Sequence, residues 1–394
     1  MTLSASLGDT RAAWLLAGVE FFFALSWVVY VIFLPELLAR GGIDPRFLPW
    51  ILAADQLIFA LADWSVGVAV DRARLALHRI GPMLVLLSTL SALAMLLLPW
   101  LATMPMLLLL ATALWVATSA ALRAPPYVLL SRYAGRARLP RLAGIQLLGL
   151  AVTAALAPYL AIVLKGVDPS LPFALSALAV GVSALALVYV ERRLPAAEQA
   201  VAAEASQQTP PATAKAWWAF LLLLALLLAF GQQIHIAINS AAQFKRLADP
   251  ALLPWLMPVF WVGFSFGLLA VGGFLKDRSE MHALKLACVL GALALAGAAL
   301  AVSLAALVVS QFVAGIFWAF ILCASIGVAS ARGYPLQTGR NTGALMAMLA
   351  VATFSRFGLA TSGGAAALGV LLVNWLPVVL WCLVALLLRR PRDA

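Results

Sequence analysis

The chain has 394 residues, 65% of them hydrophobic and only 10% charged, with a formal charge of +11 and a mean hydropathy of +1.04. Soluble domains run at roughly 45–50% apolar and about 25% charged, so this composition excludes a cytosolic enzyme, a disordered protein and a disulfide-stapled secreted module. No aqueous core hides this much Leu, Ala and Val; the surrounding solvent has to be a lipid bilayer. In a soluble protein the excess of Lys and Arg would suggest nucleic acid. Here the basic residues fall between apolar runs, so they are read as orienting the chain in the membrane, and no nucleic-acid partner is expected. Cys288, Cys323 and Cys382 lie inside apolar runs without metal-ligand spacing and read as small buried hydrophobes.

A membrane span takes about 20 apolar residues. Apolar runs between charged or Pro/Gly breaks predict twelve helices, over 14–38, 48–70, 80–101, 104–131, 142–164, 171–190, 217–241, 254–275, 281–303, 305–330, 342–368 and 370–388. The residues ahead of the first lack a cleavage-type signal, so helix 1 is expected to stay attached. Of the 26 Lys and Arg, 19 fall in the amino terminus, the loops after even-numbered helices and the carboxyl tail, with Lys285 at the start of helix 9 counted with the loop before it. Five fall in the loops after odd-numbered helices, and two, Arg123 and Arg356, lie inside spans. The positive-inside rule then puts both termini in the cytoplasm. An odd number of spans would scramble the alternation. The expected location is a cell membrane, the inner membrane of a bacterium, with the protein as a monomer.

Between helices 6 and 7 the chain reads ERRLPAAEQAVAAEASQQTPPATAKA, polar and rich in Ala, Gln and Pro. It reads as a linker; a small amphipathic helix lying on the membrane is the alternative for its Ala-rich middle. The organisation is therefore a six-helix bundle over 1–190, a cytoplasmic linker over 191–216 and a second six-helix bundle over 217–394. The two bundles are related. Asp44-Pro45-Arg46-Phe47-Leu48-Pro49-Trp50 opens helix 2 and Asp249-Pro250-Ala251-Leu252-Leu253-Pro254-Trp255 opens helix 8, with five of seven positions matching at an offset of 205. At the far ends of the same helices stand Gly67-x-x-x-Asp71-Arg72 and Gly273-x-x-x-Asp277-Arg278, at an offset of 206. Matched ends of matched helices mark a parallel repeat, as in transporters whose site lies between two halves.

Gly-x-x-x-Asp-Arg followed by a basic loop, in a chain of six plus six helices, resembles the major facilitator superfamily. The resemblance implies an all-α membrane fold of two pseudo-symmetric bundles. It also implies that the Gly lets helix 2 approach helix 11 while the Asp pairs at the cytoplasmic junction and holds the outward-facing state. Those gating roles fall to Gly67, Asp71 and Arg72, with a symmetry-related set at Gly273, Asp277 and Arg278. Arg74 stands where the family usually has a second Gly, which implies a less tightly turned loop. More narrowly, Asp63-x-x-x-Gly67-x-x-x-Asp71 and Pro126-Tyr127 are similar to cation-coupled glycoside symporters of that superfamily, in which an acid at the Asp63 position binds the coupling cation.

Ionisable groups inside spans cost several kcal/mol unless paired or hydrated, so each is a functional candidate. They are Glu20, Asp55, Asp63, Arg123, His235 and Arg356, with Glu36 near an outer surface. Counted along their helices, Glu20, Asp63 and Arg123 share a depth of roughly 9–14 Å from the cytoplasmic surface. Two acids and one base leave a net charge of −1, which one proton or one sodium ion would neutralise; a static ion pair bracing the bundle is the alternative. On helix 7, Gln232, His235 and Asn239 recur at i, i+3 and i+7 on one face and suit hydrogen bonds to a polar solute, unless they join helices. The pattern is similar to the Gln-Gln…Asn run of facilitator-type sugar porters. Trp27 and Tyr30 on helix 1, Trp115 on helix 4, and Gln311 and Trp318 on helix 10 are candidates to complete an aromatic-lined cavity. The resemblance implies that helices 2 and 11 face each other between the halves, and matched depths on them then predict a gate: Asp55 and Arg356 should approach when the protein faces inward and separate when it opens outward.

A polytopic enzyme would need a reactive constellation. The three histidines, His78, His235 and His282, are far apart, and there is no zinc or P-loop spacing. No cofactor is expected, and ATP is not the energy source within this chain. The reading is a secondary transporter of a small solute, coupled to a proton or sodium ion. A sugar-like solute is favoured over the alternative, efflux of amphipathic compounds by proton antiport.

Overall fold

The computed structural model describes residues 2–77, 80–192, 212–275, 278–333 and 337–388, and among them it is helical with no strand. Twelve helices are long and apolar enough to cross a membrane: α1 Thr10–Arg40, α2 Pro45–Ala73, α3 Gly81–Leu101, α4 Pro105–Leu130, α5 Arg138–Val163 and α6 Ser170–Arg192, then α7 Lys215–Leu247, α8 Pro250–Leu275, α9 Glu280–Leu300, α10 Leu304–Ala331, α11 Thr338–Thr361 and α12 Gly364–Leu387. Large apolar side chains such as Trp100, Val163 and Leu371 stand exposed on the outside of the bundle. Lipid, not water, is the medium that stabilises such a surface.

The two matched heptapeptides fold alike. Asp44 accepts a hydrogen bond from the Arg46 N–H at 2.9 Å and Asp249 one from the Ala251 N–H at 2.8 Å. Each carboxylate caps a short 3-10 turn, Pro45–Phe47 or Pro250–Leu252, whose leading Pro has no N–H to leave unsatisfied. Two other local breaks shape the interior. In α4 the helix tightens into a 3-10 turn over Ala120–Leu122 and changes course at Arg123. The cause is Pro125 and Pro126, which lack the N–H groups that would continue the ladder. In α7 the residues His235–Asn239 form a π-turn.

At the end of the bundle that carries Asp71, α2 and α11 touch backbone to backbone. A methyl group on Gly67, Gly339 or Gly343 would overlap the facing main chain. Over this contact Asp71 accepts hydrogen bonds from the N–H groups of Gly339 at 2.9 Å and Arg340 at 2.8 Å, the first turn of α11. A carboxylate there meets unsatisfied donors and the positive end of the helix dipole. Arg72 next to it is exposed. The Arg74 side chain and Asp277 lie outside the described residues.

The second copy of the motif packs differently. A Cβ on Gly273 would meet nothing within 4 Å, and Arg278 stays on its own helix, donating to the Phe274 carbonyl at 2.6 Å. By the offset of the heptapeptides the counterpart of Gly67 is Gly272, and it is Gly272 that lies against the Arg141 side chain of α5. The close backbone approach of α5 and α8 comes one turn earlier, where Gly144 faces the Leu268 carbonyl. At the opposite end of the same pair, the Tyr159 and Trp255 rings lie 5.0 Å apart.

Asp71→Ala is expected to weaken closure of the Asp71 end by about 1–2 kcal/mol, the usual effect of losing a capping acceptor. Ala347→Cys, on the buried face of α11, reports the opening: its labelling by a water-soluble maleimide should speed up in the Asp71→Ala background. An unchanged labelling rate would show that the cap does not hold this end shut.

Candidate substrate and cation-coupling site

Beyond the sealed α2–α11 contact a cavity of about 460 Å³ lies between the first six and the last six spans. Its wall is mostly apolar and aromatic, with Phe23, Trp27, Phe59, Trp261, Phe264 and Trp318 among its residues. Gln56, Gln232, Gln233 and Thr153 add neutral polar groups, and Glu20, Arg123 and Arg356 are the charged residues on the wall.

Three of the candidates converge. The bend at Arg123 turns its guanidinium inward, where Nη1 lies 3.1 Å from the Asp63 Oδ2. The contact joins charges without a well-aligned hydrogen bond, and Asp63 is wholly buried. Phe59 holds the other side of the guanidinium, its ring centre 4.7 Å away. Glu20 on α1 is buried beside them, with Arg123, Gln146 and Asp63 as its electrostatic neighbours, and its Oε2 has no hydrogen-bond partner. Tyr127, one turn past Arg123, is buried against all three charged groups. The site therefore joins α1, α2 and α4 at the cavity wall, with Gln146 of α5 beside Glu20.

The expected gate residues are apart in this conformation. Asp55 is buried and accepts a hydrogen bond from the Tyr30 hydroxyl at 2.8 Å. Arg356 faces the cavity from α11, its guanidinium 3.9 Å from the centre of the Phe357 ring and its Nε without a partner. No ion pair joins Asp55 to Arg356. The approach expected between them belongs to a form closed at the other end, and this one is closed at the Asp71 end. Only Arg356 meets the cavity; Asp55 does not line it.

The polar face of α7 divides. Gln232 lines the cavity, whereas His235 and Asn239 point into the last six spans. His235 Nε2 lies 2.8 Å from the Gln311 Oε1, Gln311 donates to Gln243 at 3.0 Å, and Gln243 donates to the Asn374 side chain at 2.7 Å. Asn239 donates to the Val373 carbonyl at 2.9 Å. These groups tie α7 to α10 and α12. Gln311 is thus a bridging residue, and Tyr30 is occupied by Asp55, so neither faces the cavity. Trp27 does, stacked at 5.7 Å on Trp115, which is buried behind it. Trp318 also faces it, stacked at 5.9 Å on Trp381.

Tyr127, Gln146, Gln243 and Asn374 were not among the sequence candidates, nor were the wall residues Gln56, Gln233 and Trp261. Gln146 and Gln243 carried a readable signal, a neutral polar group within an apolar run. The aromatic residues carried none that separates them from ordinary packing.

Asn239→Ala is expected to lower the stability of the purified protein by about 1–3 kcal/mol, because the buried Val373 carbonyl loses its donor. Gln232→Ala should leave the melting temperature unchanged and weaken solute binding instead. Thermal melts and equilibrium binding on the two variants separate the roles; the same response in both would contradict the division.

The Major Facilitator Superfamily sequence profile matches residues 16–355. No match is found among curated proteins by sequence. Among solved structures, the human organic anion transporter MFSD10 (TETRAN) superposes with a TM-score of 0.74 at 16% identity, covering 97% of this chain and 99% of that one. The E. coli fucose:proton symporter FucP superposes with a TM-score of 0.68 at 12% identity, covering 96% of this chain and 98% of that one. FucP in its outward conformation gives a TM-score of 0.67 at 11% identity, with the same coverage of 96% and 98%. At these identities the superpositions establish the fold, and the profile match establishes the family. With twelve apolar helices, two related heptapeptides and a cavity between the two sets of six spans, the chain belongs to the Major Facilitator Superfamily: it is a multi-pass integral membrane transporter, not an enzyme.

Proposed function

We propose that the chain is a proton-coupled secondary transporter that carries a small amphipathic solute by alternating access. Glu20, Asp63 and Arg123 form the coupling site. The single observation behind this reading is the Arg123–Asp63 ion pair at 3.1 Å beside the unsatisfied Glu20 carboxyl, with Glu20 and Arg123 on the cavity wall. Two carboxyls sharing one guanidinium titrate as a unit. A proton that enters from the cavity neutralises the excess negative charge and leaves one acid for Arg123. A proton suits the site better than sodium, because a carboxyl oxygen takes a proton without a cage of oxygen ligands and the adjacent guanidinium repels a metal ion.

The Lys and Arg distribution supports cytoplasmic termini. On that orientation the sealed Asp71 end is cytoplasmic and this is an outward-facing form. The bundles over 1–190 and 217–394 rock about the cavity, joined by the linker over 191–216, and the Asp55–Arg356 gate belongs to the inward-facing form. The solute class is argued from the wall. His235, Asn239 and Gln311 are engaged in helix–helix bonds, so the polar face that favoured a sugar-like solute is reduced to Gln232. Seven aromatic residues favour an amphipathic solute instead. A sugar-like solute is the second reading, favoured by the three wall amides Gln56, Gln232 and Gln233.

In proteoliposomes, Asp63→Asn should abolish accumulation driven by a pH gradient while leaving solute exchange across the membrane measurable. Full gradient-driven accumulation by this variant would remove Asp63 from coupling.

A further inference from the structure

Arg356 is the one wall charge that the coupling site leaves unexplained. Arg123 has its carboxylate in Asp63. Arg356 is largely buried in a membrane-spanning helix, has no carboxylate within ion-pair distance and keeps an unpartnered Nε. Its one close polarisable neighbour is the ring of Phe357. A guanidinium removed from water wants a partner, and the planar fork pairs best with a carboxylate, sulfonate or phosphate. The nearby hydroxyls do not supply one: Thr353 and Ser355 donate to carbonyls of their own helix, Leu349 and Val351. What faces Arg356 is the cavity.

We propose that Arg356 is an anion subsite, and that the solute is a flat, apolar monoanion carried together with one proton as an electroneutral pair. This rests on the coupling role of Glu20, Asp63 and Arg123. The wall charges Glu20, Arg123 and Arg356, together with Asp63 buried behind Arg123, are two acids and two bases that sum to zero when both acids are ionised. In this conformation the other polar groups nearby are engaged elsewhere. Asp55 is turned away to Tyr30, His235 is held by Gln311 within the last six spans, and Tyr127 is a buried phenol.

Occluding a cavity removes water, and a net charge is then disfavoured in the low dielectric. The empty cavity is neutral. A proton alone leaves it at +1 and an anion alone at −1, whereas the two together restore neutrality. The empty and fully loaded carriers therefore close readily and the half-loaded ones do not, which is the condition for symport. A neutral or cationic solute does not satisfy this balance, because its protonated complex stays positive. The aromatic walls of Trp27, Trp261 and Trp318 supply the apolar surface for the body of such an anion.

The test uses naphthalenesulfonate, an anion too acidic to cross lipid as its neutral form, and the isosteric neutral naphthalenesulfonamide. The intact protein in detergent should bind the sulfonate and prefer it to the sulfonamide. Arg356→Gln should lose roughly tenfold to a hundredfold in sulfonate affinity, and Arg356→Lys should fall between Arg356→Gln and the parent, because the charge remains while the planar fork is lost. In proteoliposomes a pH gradient should drive sulfonate uptake, and an imposed membrane potential without a pH gradient should not. No sulfonate binding at millimolar concentration, equal binding of the sulfonamide, or an unchanged affinity in Arg356→Gln would overturn the anion subsite while leaving coupling at Asp63 standing. Uptake that tracks the potential would overturn the electroneutral pairing. Arg356-dependent binding with no response to either gradient would overturn the pairing together with the coupling role of Asp63.

Discussion

The fold turns on the place where α2 and α11 touch. Asp71 reaches across from the first six spans to accept two N–H groups at the start of α11. Gly67, Gly339 and Gly343 let the two backbones meet beneath it. Beyond this contact the same two helices line the cavity, with Gln56 and Phe59 on α2 and Leu349, Thr353 and Arg356 on α11. The contact is also reversible in kind. On opening, the carboxylate and the freed N–H groups both meet water, so little hydrogen-bonding free energy is lost in exchanging protein partners for solvent. A closure with a small free-energy difference suits an equilibrium that a transported solute has to shift.

Charge is distributed unequally above that contact. The first six spans carry Glu20, Asp55, Asp63 and Arg123, and three of these converge because Pro125 and Pro126 break α4 at Arg123. An unbroken helix would keep the same residues but aim the guanidinium by its regular period. The last six spans put one charge on the wall, Arg356, and otherwise neutral amides and an imidazole joined in a hydrogen-bonded run from α7 through α10 to α12. One bundle is built around titratable groups and the other around fixed hydrogen bonds, although their sequences share a repeat.

Twelve spans, the alternation of basic loops, the repeat and the family were all legible in the sequence, because each depends on local composition or on short matched segments. The convergence of Glu20, Asp63 and Arg123 was legible as well, since equal depths along three helices come directly from the rise per residue. The helix 7 face was read at 3.6 residues per turn. The π-turn over His235–Asn239 adds a residue to one turn and rotates the helix beyond it by roughly 100°, so Asn239 leaves the face of Gln232. The role of Gly273 was misaligned for a similar reason: the repeat offset changes by one residue within helix 8, and Gly272 carries the equivalent register.

Composition, charge and periodicity determined that this chain crosses a membrane twelve times as two related sets of six, with a few ionisable groups at functional depth. Only the tertiary structure decided which of those groups meet. Arg123 found Asp63, Asp55 found Tyr30, and Arg356 found no acid among the described residues. The physical reason is that a side chain's depth is set by its own helix. Its partner is set by how helices distant in sequence rotate and bend against one another, and a proline break or a single π-turn is enough to change that facing.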